Sequence, residues 1–330
     1  EIRPRDWSSD VCSSDLVAYR SESGLARVWN TGEVTNELPM GDAIESRYGA
    51  PYLLMHRADL HAAIESVLPE GLVRFNHKLT GIEQNNQDVT LTFADGTKVK
   101  ADAVIGADGV HSVVREWMLG PEKPRFSGKV AYRTTFPTRL LGANGINPKR
   151  TKWWGPDRHM VVYYVTANRD ELYFVTSQPE DAQWMTRESW SQKGDLKVLR
   201  EAYAGFHPEV RAIVEACPEV HKWALMERDP LPRWCEGRVT LLGDACHPMT
   251  PYMAQGAASA LEDAAMLSRC LEHVNADGVV QALRRYEANR LPRTAKIQQT
   301  SSKNTWMRNA TDPTWVYGYD VWTEPLVDAN

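Results

Sequence analysis

The chain has 330 residues, a formal net charge of −5 and 25% charged residues, so no basic surface for nucleic acid is expected. No stretch of about 18 apolar residues is present to form a spanning helix, and the length is ample for a buried core in one large domain or two. Of the five cysteines, Cys217, Cys235, Cys246 and Cys270 show no paired spacing, which predicts reduced thiols in a cytoplasmic protein and neither a disulfide frame nor a metal site.

The chain opens on Glu1-Ile2-Arg3-Pro4-Arg5, and the segment from Asp6 to Leu16, which includes the fifth cysteine, reads as foreign. It matches the translation of a common sequencing-adapter string, and residues 1–16 are set aside as a non-native leader. From His56 a helical pattern begins (Leu60, Ala63, Ile64, Val67, Leu68), which puts Arg57 at a helix start. Residues 72–100 alternate apolar and polar around the turn Ala94-Asp95-Gly96-Thr97, as in a small antiparallel meander. Ala103-Val104-Ile105-Gly106 is a strand closing on Asp108-Gly109, with Ser112 placed to cap the next turn. Strand-like segments follow at Lys129–Phe136, Lys152–Thr166 and Glu171–Ser177, then a helix from about Lys197 to Ala216. Val239-Thr240-Leu241-Leu242 is a continuous apolar run suited to a strand covered on both faces, ending on Gly243-Asp244 before a helix that starts near Gly256. A long helical pattern from Val279 to about Asn309 passes through Pro292, which predicts a kink.

Several residues along this chain could carry chemistry. Asp244 falls outside the carboxyl end of a strand, where α/β sheets bind ligands, and can accept from hydroxyls of a nucleotide or polyol. The helix that follows points its positive end at the same crevice. On the Lys152–Thr166 strand, His159, Val161 and Tyr163 share one face, with His159 and Tyr163 about 13 Å apart at about 3.3 Å per residue. The pattern alone favours a core tyrosine with a bonded hydroxyl and a surface histidine over a catalytic pair. Cys246-His247 is formally a thiol–imidazole pair, but neighbours in sequence rarely orient onto each other. Arg133 and Arg158 could hold a substrate carboxylate or form ordinary salt bridges.

Together these residues resemble the class A flavoprotein aromatic hydroxylases, the fold family of p-hydroxybenzoate and salicylate hydroxylases. The match is carried by Lys152-Trp-Trp-Gly-Pro-Asp-Arg-His159-Met-Val-Val-Tyr163-Tyr, Gly243-Asp-Ala-Cys-His-Pro-Met249, Met253-Ala-Gln-Gly256-Ala257 and Asp312-Pro-Thr-Trp-Val-Tyr-Gly-Tyr-Asp320, and runs from about Val17 to the end. The resemblance implies an α/β fold: an FAD-binding Rossmann-like domain of the glutathione-reductase type, in two segments (17–125 and 227–290). An inserted β-rich α+β substrate domain (126–226) and a helical tail (291–330) would complete it. It implies that Arg57 meets the FAD pyrophosphate, that Asp108-Gly109 serves FAD and the passing nicotinamide cofactor, and that Asp244 holds the ribityl chain. Pro248, Gly256 and Ala257 would line the flavin, and His159, Tyr163 and Tyr252 the substrate, with His159 or Tyr163 taking the proton of a ring hydroxyl.

The family's opening Gly-x-Gly-x-x-Gly does not occur in this chain, so the first βαβ unit is expected to be missing and the chain as given to purify colourless and inactive. The expected activity of the intact enzyme is a single-component monooxygenase using FAD, NADH or NADPH, and O2 on a small aromatic carboxylate. The quoted segments point to 6-hydroxynicotinate, hydroxylated with loss of carbon dioxide to 2,5-dihydroxypyridine; salicylate 1-hydroxylation and 3-hydroxybenzoate 6-hydroxylation are the alternatives. No nucleic-acid or membrane partner is expected, and the protein would be a monomer or homodimer. Two positions depart from the pyridine-specific pattern. Tyr252 stands where such enzymes carry histidine, and a tyrosine there resembles the 3-hydroxybenzoate 6-hydroxylase branch; Arg150 stands where a cysteine lines their pocket.

Overall fold

The computed structural model describes residues 18–181, 183 and 191–329; the expected leader, 1–16, lies outside them. In chain order the first elements are strands β1 (Ser23–Val28) and β2 (Val34–Pro39) and helices α1 (Asp42–Tyr48) and α2 (Arg57–Glu65). Next come β3 (Leu79–Gln84), β4 (Val89–Phe93), β5 (Lys98–Ala101), β6 (Val104–Gly106) and α3 (Val113–Leu119). The central part holds β7 (Arg125–Pro137), β8 (Arg150–Trp154), β9 (His159–Tyr164), β10 (Glu171–Pro179), β11 (Ser191–Lys193), α4 (Leu196–Tyr203), α5 (Pro208–Ala216) and β12 (His221–Glu227). The last part holds β13 (Cys235–Glu236), β14 (Val239–Leu241), α6 (Gly256–Leu271), α7 (Val279–Ser302) and α8 (Thr314–Tyr317).

The chain divides into two compact units. The first takes residues up to Leu72, Phe126–Leu225 and Met307–Asp312. It is built on an eight-stranded sheet in the order β11-β12-β7-β10-β9-β8-β1-β2. Strand β1 runs parallel to β8, with Gly24 opposite Arg150, and this pairing draws the segment before Leu72 into the same unit as the central segment. The sequence pattern assigns that segment to the flavin domain instead; strand pairing so distant in sequence leaves no local signature. One face of the sheet is apolar: Trp153, Met160, Val162, Leu172 and Phe174 pack with Leu199, Tyr203, Val210 and Ile213 of α4 and α5. Trp153 and Phe174 are fully buried, and truncating either to alanine is worth about 3–5 kcal/mol.

Two elements differ from the sequence pattern for local reasons. The expected strand Lys152–Thr166 is a hairpin: β8 and β9 pair antiparallel across Gly155-Pro156-Asp157-Arg158, closed by Gly155 N–H donating to the Arg158 carbonyl at 2.8 Å. The expected helix Lys197–Ala216 breaks into α4 and α5. Pro208 disfavours helical backbone at His207, which is extended at ψ 147° and caps the new helix by accepting from the Glu209 N–H.

The second unit takes Val73–Arg125, Met226–Trp306 and Pro313–Asn330. Its parallel pair is β6–β14, with Val104 opposite Val239 and Gly106 opposite Leu241, and β13 joins β14. The expected meander is the separate sheet β3-β4-β5. The strand predicted over Val239–Leu242 ends at Leu241, and α7 ends at Ser302 rather than near Asn309, with Pro292 inside it. Residues 291–302 continue a helix of this unit, and the unit's segment runs on to Trp306. Among the described residues no helix is long and apolar enough to cross a membrane.

Candidate active site

In the first unit the catalytic candidates lie on the sheet face opposite the α4–α5 core. The register fixes their neighbours. His159 sits between Trp154 and Ser177, Val161 between Lys152 and Val175, and Tyr163 beside Tyr173. Alternation along β8 puts Arg150, Lys152 and Trp154 on this same face. His159 is 5% exposed, not a surface residue, and its ring tilts against Trp154 with centroids 5.3 Å apart. The α4 residue Tyr203 donates its hydroxyl to the His159 carbonyl at 3.0 Å, which fixes the backbone that carries the imidazole. Tyr163 is partly exposed and tilts against Tyr173 at 5.0 Å.

Burial and charge set the protonation of this face. Burial first, then the nearby Lys152 and Lys129 charges, hold the His159 imidazole well below its usual pKa, so it is neutral at pH 7. Burial, with Tyr173 and Tyr52 beside it, pushes the Tyr163 phenol well above its ordinary range, so it keeps its proton. Lys152 is itself 5% exposed, with Nζ 3.9 Å from the centre of the Trp154 ring, and burial and Arg150 lower its pKa strongly. A neutral imidazole that can accept a proton and a neutral phenol that can donate a hydrogen bond thus share one strand. Of the arginines weighed for a substrate carboxylate, Arg158 pairs with Asp157 at 2.8 Å and donates to the Ala202 carbonyl, and Arg133 is exposed and stacks on Trp223 at 4.1 Å.

In the second unit the parallel pairing of β6 and β14 brings their two Asp-Gly and Gly-Asp ends side by side. Both oxygens of Asp108 are engaged locally: one accepts from Ser112 Oγ at 2.5 Å, the other from Val113 N–H at 2.7 Å and Val114 N–H at 3.2 Å. Ser112 in turn caps α3 by accepting from Arg115 N–H. Gly109, at φ 78°, has open space where a side chain would stand. Arg115 donates to the Val110 and Ala245 carbonyls at 2.6 and 2.7 Å, tying the two loops together.

Asp244 is exposed on the turn Gly243–Ala245, while Pro248 behind it is buried. No side chain caps α6, and a Cβ on Gly256 would stand 4.0 Å from Asp244 Oδ1 and 3.9 Å from Met249. Free first-turn N–H groups, the helix dipole and an exposed carboxylate at one helix start form a donor and acceptor set that suits FAD, an anionic, hydroxyl-rich group. Ala257 is exposed on the first turn of α6, and Tyr252 is buried in the turn Pro251–Met253. Arg57 belongs to the first unit, exposed at the first position of α2, its Nε 3.4 Å from His61 Nε2.

Sequence pattern missed what shapes the Asp244 loop. Asp263, fully buried on α6, accepts through Oδ2 from Gly243 N–H at 3.1 Å and meets His247 Nε2 at 2.5 Å, while Oδ1 accepts from Arg290 Nε at 2.8 Å. Burial opposes ionisation of Asp263, yet the His247 and Arg290 bonds hold its pKa below the ordinary value. Both ends of the loop Gly243–His247 are thereby fastened to one carboxylate. The same geometry disposes of Cys246-His247 as a nucleophilic pair: the Cys246 thiol, driven up by burial, donates to the Gly243 carbonyl, and His247 turns to Asp263. Cys246, His247 and Asp263 lie within 4.8 Å, but the Arg290 guanidinium already neutralises the carboxylate.

Residues 58–301 match the family profile described as FAD binding domain. The chain belongs to this family of FAD-binding flavoprotein monooxygenases. It is 50% identical over 305 residues to the 6-hydroxynicotinate 3-monooxygenase of Bordetella bronchiseptica, covering 92% of this chain and 79% of that one. It is 48% identical to the enzyme of the same name from Pseudomonas fluorescens, covering 92% and 78%. Among solved structures, a salicylate hydroxylase substrate complex superposes with a TM-score of 0.83 over 95% of this chain and 84% of that one, at 24% identity, and shares the fold. This flavoprotein monooxygenase thus has the mixed α/β fold of its family, with one large sheet.

Proposed function

We propose that the protein hydroxylates 6-hydroxynicotinate at its carboxylate-bearing carbon, releasing carbon dioxide and giving 2,5-dihydroxypyridine, with NADH and O2 as co-substrates. The observation that carries this reading is the sheet face that presents a neutral buried imidazole and a protonated phenol, His159 and Tyr163, beside cationic side chains. The names of the relatives at 48–50% identity support the substrate.

FAD, when bound, supplies the activated oxygen, and NADH supplies the two electrons that reduce the second oxygen atom to water. When FAD is bound, Asp244 would accept from the ribityl hydroxyls, Gly256 and Ala257 would offer backbone N–H groups, and Pro248 would shape the loop. Asp108 holds its turn so that Gly109 would be free to stand against the cofactor, and Arg57 would be the residue for the diphosphate. His159 takes the proton of the substrate's ring hydroxyl on an imidazole nitrogen, which pushes electron density into the ring where the new C–O bond forms. Tyr163 keeps its phenolic proton and orients the substrate by donating it, and Tyr252 contributes from its own turn.

Product analysis tests the proposal. The FAD-loaded protein should consume NADH faster with 6-hydroxynicotinate present, and form 2,5-dihydroxypyridine and carbon dioxide in equal amounts. Gentisate from 3-hydroxybenzoate, or catechol from salicylate, as the efficient product would overturn the substrate. NADH oxidation unchanged across hydroxylated pyridine and benzene carboxylates would overturn the reaction itself.

A further inference from the structure

Five arginines are buried among the described residues: Arg115, Arg150, Arg228, Arg238 and Arg290. Four are satisfied. Arg115 donates to two backbone carbonyls, Arg228 pairs with Glu122 at 2.7 Å, Arg238 donates to three carbonyls, and Arg290 pairs with Glu262 and Asp263. Arg150 is the exception. It is 9% exposed, and its backbone N–H donates to Ser21 Oγ at 2.9 Å, but its guanidinium has no hydrogen-bond or ion-pair partner among the described residues.

The guanidinium is nevertheless held in place. It lies across Gly24, its partner in the β1–β8 register, where a Cβ would stand 3.4 Å from Nη1 and 3.3 Å from the Met40 sulfur. An arginine cannot relieve burial by losing its proton. A lysine can shift its pKa downward, as Lys152 two residues along does. With no anion beside it among the described residues and no guanidinium nitrogen sealed from solvent, the Arg150 charge is placed to meet an anion brought from outside. The face it shares carries Tyr163, Tyr173 and Trp154, which are surroundings for a flat ring, and a guanidinium fork matches a carboxylate through two parallel hydrogen bonds.

We propose that Arg150, held across Gly24, receives the carboxylate of the aromatic substrate. This rests on the reading of the protein as a hydroxylase of an aromatic acid and names the group that recognises the acid.

Equilibrium binding by titration calorimetry decides it, with 6-hydroxynicotinate and its neutral carboxamide compared on wild type, Arg150→Met and Arg150→Lys. Wild type should prefer the carboxylate by about tenfold or more. Arg150→Met should weaken the carboxylate by at least about 30-fold, in keeping with removal of one partner of a desolvated pair, and leave the carboxamide within about twofold. Arg150→Lys should fall between. Equal losses for both ligands, or no loss, would sink the assignment. If Arg150→Met melts below the assay temperature, Arg150→Lys decides alone: a carboxylate preference unchanged from wild type overturns the proposal, and a reduced one supports it. Wild-type turnover separates the two claims. If wild type hydroxylates no aromatic acid, the hydroxylase reading fails; if it does and Arg150→Met discriminates as before, only the Arg150 assignment fails. Should 3-hydroxybenzoate prove the substrate, the same comparison is run with it and its amide.

Discussion

At the scale of single residues, the division of labour between His159 and Tyr163 follows from their opposite responses to one environment. Burial favours the neutral form of both, which leaves the imidazole able to take a proton and the phenol unable to. His159→Gln should therefore slow hydroxylation by about 10²-fold or more, the range for a positioned general base. Tyr163→Phe should act mainly on substrate orientation, with a smaller loss in kcat and a rise in KM; an unchanged rate and KM for Tyr163→Phe would return that residue to the core. The pH profile carries the sign. The base works only when His159 is neutral, so activity is full above its pKa and falls as pH drops through it. Because that pKa is depressed, the acid limb of kcat/KM should lie below the ordinary histidine value of about 6.5. Lys152→Met removes a cation that disfavours the imidazolium, and should move the limb upward.

At the scale of elements, the sheet hairpin and the loop before α6 determine where these residues stand. The β8–β9 turn is closed at Gly155, where a Cβ would come within 2.8 Å of the Arg158 carbonyl and 3.0 Å of Phe206. Gly155→Ala should cost about 1–3 kcal/mol in denaturant unfolding, and displace His159 at the turn's far side. The Asp244 loop depends on Asp263. Asp263→Asn leaves His247 buried without its anion and Arg290 with Glu262 alone, and a loss of up to about 3–5 kcal/mol is expected, read as a lowered Tm. A carboxyl with a depressed folded pKa stabilises above its ordinary value of 3.8 and loses that contribution as pH falls through the folded one. Unfolding experiments below pH 4 should show wild type approaching the Asn variant. The Gly243-Asp244 strand, turn and helix were legible in sequence because each depends on neighbours within a few residues. Asp263 and Arg290 were not, since their partners lie 16 to 27 positions away and their spacing on helices looks like any charged surface pair.

At the scale of the molecule, the family and its cofactor were legible from short motifs, while the partition of the chain was not. Strand β1 joins β8 across more than a hundred residues, and nothing in Ser23–Val28 announces a parallel partner. Arg150-Thr151-Lys152-Trp153-Trp154 did carry a signal, since charged and apolar residues alternate, yet the pattern alone reads as a half-exposed strand with its charges in water. Helix α2 has no buried residue, and Ile64, Val67, Leu68 and Leu72 are all exposed on or just after it. An apolar stripe in water favours association. Replacing Val67 and Leu72 by lysine should lower the apparent mass by light scattering at high concentration; an unchanged mass would show that the stripe does not mediate contact.

The carboxylate that fastens both ends of the Gly243–His247 turn has a kinetic signature. The Gly243 amide proton is bonded to a group fully removed from solvent, so it can leave only when α6 pulls away from the turn. In deuterated buffer this amide should exchange as slowly as the innermost strand amides of its unit, and far more slowly than a loop position normally does. Its protection would then report the opening free energy of the whole unit at a single backbone atom.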